Sequence, residues 1–265
     1  MTTVGLIGGG TMGASLAALF LAKGFNVILV TRRKEAVEKL REKVNLFASK
    51  MEPQLTAKLT VATETAQLAS SDIVIETLEE NLAVKRQALA EIEKICRRPN
   101  VFFYSNTSSL SITEIASTLT DGSRLAGMHF FNPAHKMQLV EIVKTSKTSP
   151  QCIETALATT TQLGKTPVIV TDSPGFVVNR LLMPFLLDAV KLCEAGVASE
   201  KDIDTAVKLG LNHPMGPFEL LDLIGIDVFL SILQQLKLEP PESVVQMVKE
   251  GKLGKKTKRG FYKYE

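Results

Sequence analysis

At 265 residues the chain has room for one large unit or two modest domains. A hydrophobic fraction of 45% and a charged fraction of 22% are those of an ordinary globular protein and exclude a disordered or fibrous chain. The net charge of +3 is too small to argue for a nucleic-acid or membrane-surface partner. Cys96, Cys152 and Cys193 are odd in number and far apart, which fits a reducing compartment and neither a disulfide framework nor a metal site. An apolar strand begins within a few residues of the start, leaving no room for a signal peptide. The apolar runs fall far short of the ~20 residues that span a membrane. These features lead to the expectation of a cytoplasmic protein.

Taken in chain order, residues 3–7 form a short apolar run that ends in glycines. Residues 12–23 carry apolar side chains at helical spacing, with Gly24 as a stop. A second apolar run, 27–30, is followed by room for one helix over about 35–51 before Pro53, then by a strand near Leu59. Runs at 73–75 and 101–104 flank a helical stretch at 83–96. Ser111 and Glu114 make a capping-box pattern that opens another helix. Strands are expected at 125–129, 139–143 and 168–170, with a helix from Ser149-Pro150 to about 163. Strands alternating with helices in this way imply a mostly parallel sheet covered on both faces. After Ser173 the strands cease, and helical runs follow at 176–194, 200–209, 217–223, 228–236 and 243–250. The boundary is therefore placed between residues 173 and 174. The helical part, about 90 residues, buries limited surface alone, which points to a homodimer through its helices.

Gly8, Gly10 and Gly13 form G-x-G-x-x-G, with Met12 inside the motif. The motif follows a predicted strand and opens a predicted helix, which is the context a dinucleotide site requires. The first glycine permits the tight turn, the second lets a pyrophosphate approach the backbone, and the third lets helix and strand pack closely. The helix N-terminus offers free N–H groups to the anion. A site that reads NAD usually carries an acidic residue at the end of the next strand, to accept from the ribose 2′-hydroxyl. This chain has Thr31, followed by Arg32 and Arg33. A hydroxyl and guanidinium groups suit a 2′-phosphate, so NADP(H) is favoured, with NAD(H) as the alternative. The plain reading of the two arginines is a solvated basic pair at a helix start.

Three further segments carry a family resemblance. They are Ser105-Asn106-Thr107-Ser108-Ser109-Leu110, then Gly127-Met128-His129-Phe130-Phe131-Asn132-Pro133 with Glu141 downstream, and Pro174-Gly175-Phe176-Val177-Val178-Asn179-Arg180. Glu80-Asn81-Leu82 with Lys85, Asn212 to Pro217 and the terminal Gly260-Phe261-Tyr262 extend the match. In this order and spacing the chain resembles the 3-hydroxyacyl-CoA dehydrogenase family, including its 3-hydroxybutyryl-CoA dehydrogenases of fatty acid metabolism. The resemblance implies an α/β fold: a Rossmann-type, mostly parallel sheet domain (1–173), then an all-helical domain (174–265) for substrate and dimer contacts, with the active site in the cleft between. It implies an oxidoreductase that moves a hydride between a nicotinamide cofactor and C3 of an acyl thioester. His129 would be the general acid-base, Glu141 its partner, and Ser108 and Asn179 the groups around the substrate oxygen. Glu80, Lys85, Asn106 and Asn132 would meet the nicotinamide and its ribose.

The chemistry is coherent apart from the family. Imidazole titrates near neutrality and can serve both directions of a hydride transfer. A neighbouring carboxylate orients the ring. Each residue also has a plainer reading: His129 as a core histidine, Glu141 as a surface carboxylate, Ser108 as a turn residue, Asn179 as a cap and Lys85 as a solvated charge. His135 and His213 read as structural, and the basic run Lys255, Lys256, Lys258 and Arg259 as solvated surface. Thr31 departs from the family's acidic residue, and Lys258 stands where the family has glycine. The segment after the second strand is shorter than the family's helical hairpin, which contributes to CoA binding. A short acyl group on acyl carrier protein is therefore an alternative substrate. A dehydrogenase of the 3-hydroxyisobutyrate type, which uses a catalytic lysine, and a non-catalytic dinucleotide-binding protein are the remaining rivals.

Overall fold

A computed structural model describes all residues, 1–265. The chain divides into two compact units, Met1–Phe176 and Val177–Glu265. In the first, β1 (Thr3–Ile7), α1 (Thr11–Ala22), β2 (Asn26–Val30), α2 (Val37–Met51), β3 (Leu59–Ala62) and β4 (Ile73–Glu76) come first. They are followed by α3 (Leu82–Ile95), β5 (Phe102–Ser105), α4 (Ile112–Ala116), β6 (Leu125–Phe130), β7 (Leu139–Lys144), α5 (Pro150–Gln162) and β8 (Thr166–Thr171). The eight strands form one sheet in the order β3-β2-β1-β4-β5-β6-β7-β8. All neighbours run parallel except β6 and β7, which pair antiparallel. The expected mostly parallel sheet is what the chain forms.

Strands β1, β2, β4, β5, β6 and β7 read as near-continuous apolar runs because both of their faces are covered. Successive side chains point to opposite faces. Ile73 and Ile75 join Val4, Leu6, Leu29, Tyr104 and Met128 in one core, into which α1 buries Leu16, Phe20 and neighbours. Val74 joins Ile28, Val30, Phe103 and Leu125 in the other, beneath Leu89 and Ile92 of α3. Chain order reverses about the pair β1 and β4, and the region beyond the carboxyl ends of the strands at such a reversal is the usual ligand position in these sheets. Ser111 caps α4 by accepting from the Glu114 N–H, as the capping pattern predicts.

The second unit consists of α6 (Val178–Glu194), α7 (Glu200–Gly210), α8 (Pro217–Ile224), α9 (Ile226–Gln235) and α10 (Glu242–Lys249) around a core that includes Leu186, Phe218, Leu221 and Phe229. Two buried carboxylates tie it together. Asp204 accepts from the Phe218 and Glu219 N–H groups at the start of α8 and from the Tyr262 hydroxyl. Asp222 accepts from the Phe261 and Tyr262 N–H groups and from the Tyr264 hydroxyl. The terminal Gly-Phe-Tyr is thus an anchor for the chain end. Its glycine is required by space: a Cβ on Gly260 would lie 1.8 Å from Asp222 Oδ1. No helix is long and apolar enough to cross a membrane.

Candidate active site

The first glycine turn lies at the reversal point. Gly8 sits at φ +120°, a region closed to most side chains, and a Cβ on it would fall 2.6 Å from the Thr77 carbonyl oxygen. The Thr77 hydroxyl, at the end of β4, donates to the Ile7 and Gly8 carbonyl oxygens at 3.1 Å each. A Cβ on Gly13 would sit 1.8 Å from the Gly8 carbonyl oxygen, so the helix can approach the turn only with glycine there. Gly10 is the N-cap of α1, makes no side-chain cap and has open space where its Cβ would be. Met12 is half-buried against the core. The start of α1 thus has no side-chain cap and no acidic side chain in its first turn, which fits a dinucleotide pyrophosphate.

Thr31 follows β2 and is buried; its hydroxyl accepts from the Arg33 N–H at 3.4 Å. Arg32 and Arg33 are exposed beside it. The strand end that would offer a carboxylate to a ribose offers a hydroxyl and two cations.

His129 and Glu141 face each other across the antiparallel pair β6 and β7. His129 Nδ1 lies 2.7 Å from Glu141 Oε2, and the two residues are 5% and 1% exposed. Phe131 and Phe176 pack on the imidazole with centroids at 4.4 and 5.8 Å. The carboxylate engages Nδ1, one of the two distinct ring nitrogens, and so sets the orientation of the imidazole. In the catalytic triads of hydrolases such a carboxylate fixes the tautomer and orientation of the ring.

The next strand end supplies the turn after β5. Asn106 spans three strands: its N–H donates to the Glu76 carbonyl oxygen and its Oδ1 accepts from the Phe130 N–H, both at 2.9 Å. Ser108 and its neighbours gather on Glu80. Glu80 Oε1 accepts from the Thr107 hydroxyl at 2.6 Å, the Ser108 N–H at 2.9 Å, the Ser109 hydroxyl at 3.0 Å and the Ser108 hydroxyl at 3.3 Å. Lys85 Nζ stands 3.2 Å from Glu80 Oε2. Burial opposes ionisation of Glu80, yet Lys85 and these donors hold its carboxyl below the ordinary carboxylate range.

The reading of Lys85 as a solvated charge is corrected here. Lys85 lies in the first turn of α3 and is 1% exposed, with Nζ 2.8 Å from Glu76 Oε1 and 3.2 Å from the Leu78 carbonyl oxygen. Sequence reasoning passed over Glu76 altogether. It is an acid ending the apolar run 73–75, and that position was the available signal. Asn132 is exposed on the loop after β6, before a cis Asn132–Pro133 bond. Asn179 is buried in the first turn of α6, in the second unit.

His135 lines a cleft of about 300 Å³ with Ser15 and Ala18 of α1 and Phe47, Lys50 and Met51 of α2. His213 packs near Phe185 with ring centroids 5.6 Å apart. In the terminal basic run, Lys256 pairs with Asp227 and Lys255 lies over the Tyr264 ring.

Residues 3–173 match the family model described as the 3-hydroxyacyl-CoA dehydrogenase NAD binding domain, and residues 175–264 match that family's C-terminal domain. The chain is 41% identical to the human mitochondrial hydroxyacyl-coenzyme A dehydrogenase, over 99% of this chain and 91% of the relative. It is 37% identical to a 3-hydroxybutyryl-CoA dehydrogenase of Clostridioides difficile, covering 98% of each. Its fold is similar to the crystal structure of (S)-3-hydroxybutyryl-CoA dehydrogenase from Ralstonia eutropha, with a TM-score of 0.90 and 37% identity over 100% of this chain and 99% of the other.

Proposed function

Because the chain belongs to the 3-hydroxyacyl-CoA dehydrogenase family, we propose that it interconverts a 3-hydroxyacyl thioester and its 3-oxoacyl thioester, with His129 as general acid-base and Glu141 as its orienting partner. The observation that carries this reading is the buried 2.7 Å pair of His129 Nδ1 with Glu141. In oxidation Nε2 of His129 takes the proton of the C3 hydroxyl, and in reduction it returns that proton to the C3 oxygen. The nicotinamide ring, when bound, accepts or supplies the hydride at C3. Ser108 and Asn179 are assigned to the substrate oxygen and acyl group, where polar groups stabilise developing charge. Gly8, Gly10, Met12 and Gly13 hold the pyrophosphate at the start of α1. Glu80, Lys85, Asn106 and Asn132 border the nicotinamide ribose. At the adenosine ribose, Thr31, Arg32 and Arg33 favour NADP(H) over NAD(H), since no carboxylate stands there to repel a 2′-phosphate.

A second reading concerns the carrier. Between β2 and β3 lies a single long helix, α2, where a helical hairpin would offer more contacts to the nucleotide end of CoA. That favours a site which recognises the acyl group and pantetheine arm, and so one open to a short acyl group on acyl carrier protein. The exposed side chains Leu181 and Leu192 of α6 and Leu209 of α7 support a homodimer through the helical unit. The test of the main reading is direct: adding acetoacetyl-CoA to enzyme with NADPH or NADH should consume the reduced cofactor's absorbance. No consumption with either cofactor, in a protein that still binds dinucleotide, would favour a binding protein without catalysis.

A further inference from the structure

Behind the Ser108 turn lies a chain of polar contacts whose first member has no part in the proposed contact roles. It begins at Glu76, fully buried at the end of β4. Oε2 of Glu76 accepts from the Ser105 hydroxyl at 2.6 Å, and the Ser105 oxygen in turn accepts from the Thr107 N–H at 3.3 Å. Oε1 of Glu76 accepts from Lys85 Nζ and from the Leu78 N–H. Lys85 spends its three donors on Glu76, the Leu78 carbonyl oxygen and Glu80. Glu80 then collects Thr107, Ser108 and Ser109. The turn after β5 is thus strapped to Glu76 by two routes, one through Ser105 and one through Lys85 and Glu80.

We propose that Glu76 is a positioning residue: with Lys85 it presets the 105–109 turn, and so places Ser108 for the substrate oxygen. The inference rests on the reaction proposed above for its catalytic readout, but the strap itself is a property of the turn. A buried ammonium with two carboxylates around it is an expensive arrangement, because desolvation opposes all three charges. It is tolerable only with its donors and acceptors satisfied, and here they are. Such a network holds geometry more tightly than the half-buried hydroxyls of Ser108 and Ser109 could by themselves. Lys85 also has no donor to spare for a cofactor hydroxyl while the strap is intact. Its contribution is therefore to hold Glu80 ionised and in place.

The test compares wild type with Glu76→Gln and with the double variant Glu76→Gln/Lys85→Met, which removes the buried ammonium together with its buried carboxylate partner if the single variant fails to fold; Glu80, whose side chain is 31% exposed, keeps its hydroxyl and amide donors. Misplacing a positioned group costs a factor of about 10 to 10². Both variants are expected to lose about that much kcat, and in Glu76→Gln, which alters no residue assigned to the cofactor, the dissociation constant for the reduced dinucleotide should change by less than about threefold. The charged group facing Glu80 from α3 is Lys85, with Glu76 behind it on β4; the 105–109 turn offers only hydroxyl and amide donors. The double variant removes the cation, so the acid limb of its kcat profile should move to higher pH. Hydrogen exchange at the Thr107 and Ser108 amides should quicken in both variants, whether or not the wild type turns over an acyl thioester. A folded double variant with wild-type amide protection overturns the proposal, as does one with wild-type kcat and an unmoved acid limb. A wild type that binds dinucleotide but reduces no acyl thioester overturns the proposed reaction instead, and leaves the strap to be judged by exchange alone.

Discussion

Removing the charge from Glu141 while keeping its shape isolates what the carboxylate does for His129. In the Glu141→Gln variant an amide oxygen can still accept from the imidazole Nδ1, which lies 2.7 Å from the carboxylate. What is lost is the charge assistance once the ring becomes imidazolium. A hydrogen bond to a charged group is worth roughly 1.5–3 kcal/mol and a neutral one roughly 0.5–1.5, so the difference is about 1–1.5 kcal/mol, or about tenfold in kcat. Glu141→Ala removes the acceptor outright beside an imidazole that is only 5% exposed, and roughly 10² is expected. Loss of the imidazole itself, in His129→Gln, should lower kcat by about 10² to 10⁴ with the dinucleotide dissociation constant nearly unchanged. Steady-state loss of reduced-cofactor absorbance with a 3-oxoacyl thioester gives the three values, and melting curves check that each variant is folded. The order Glu141→Gln, Glu141→Ala, His129→Gln, from mildest to most severe, is the signature of a carboxylate that acts through the ring. Near-normal turnover in a folded His129→Gln variant would refute the reasoning, and so would a Glu141→Gln loss equal to that of His129→Gln.

Three other outcomes follow from particular residues. NADPH should exceed NADH in kcat/KM, and Arg32→Ala should narrow the gap; a wild-type preference for NADH would make Thr31 a mere replacement. The same acyl group should be used nearly as well on pantetheine or on a carrier protein as on CoA, and a CoA advantage of about 10³ or more, roughly 4 kcal/mol, would mean that the single helix α2 still grips the nucleotide. Lys258 sits at φ 58°, the left-handed region that favours glycine. Lys258→Gly should therefore raise unfolding stability by roughly 0.5–1 kcal/mol, after the glycine's greater unfolded-state freedom is set against the relief of strain. Unchanged or lower stability in denaturant melts would contradict it.

The layered fold was legible because its strands are apolar on both faces and its helices follow at regular intervals. The runs at 73–75 and 27–30 needed nothing beyond their composition. Strand direction was not legible in the same way. β7 opposes β6, yet its sequence, with Val140, Ile142 and Val143 buried, looks like that of the central strands that run the other way. That direction decides the site. In the antiparallel register, once Phe130 pairs with Val140, His129 must pair with Glu141. Periodicity alone offers His129 no particular partner; the family resemblance supplied Glu141, and the pairing explains it.

The polar network beneath the Ser108 turn was hidden for a different reason. Lysine and glutamate are almost never fully buried unless paired, so sequence reading assigns Lys85 to the surface by default. The local pattern gives no contrary sign, because α3 has both apolar and charged positions, and Lys85 becomes a buried position only through residues distant in the chain. Glu76 is nine residues before it and Ser105 twenty-nine after Glu76, on separate strands. Each reads as unremarkable by itself: an acid ending a strand, a serine before a turn. Only the parallel pairing of β4 with β5, which sets Glu76 beside Ser105, puts the carboxylate under the turn. Local rules fail here because a buried ion pair contradicts composition unless its partners are known. A sequence that breaks such a rule without unfolding must meet the cost by tertiary contacts, and in this chain those contacts end on the turn that carries Ser108.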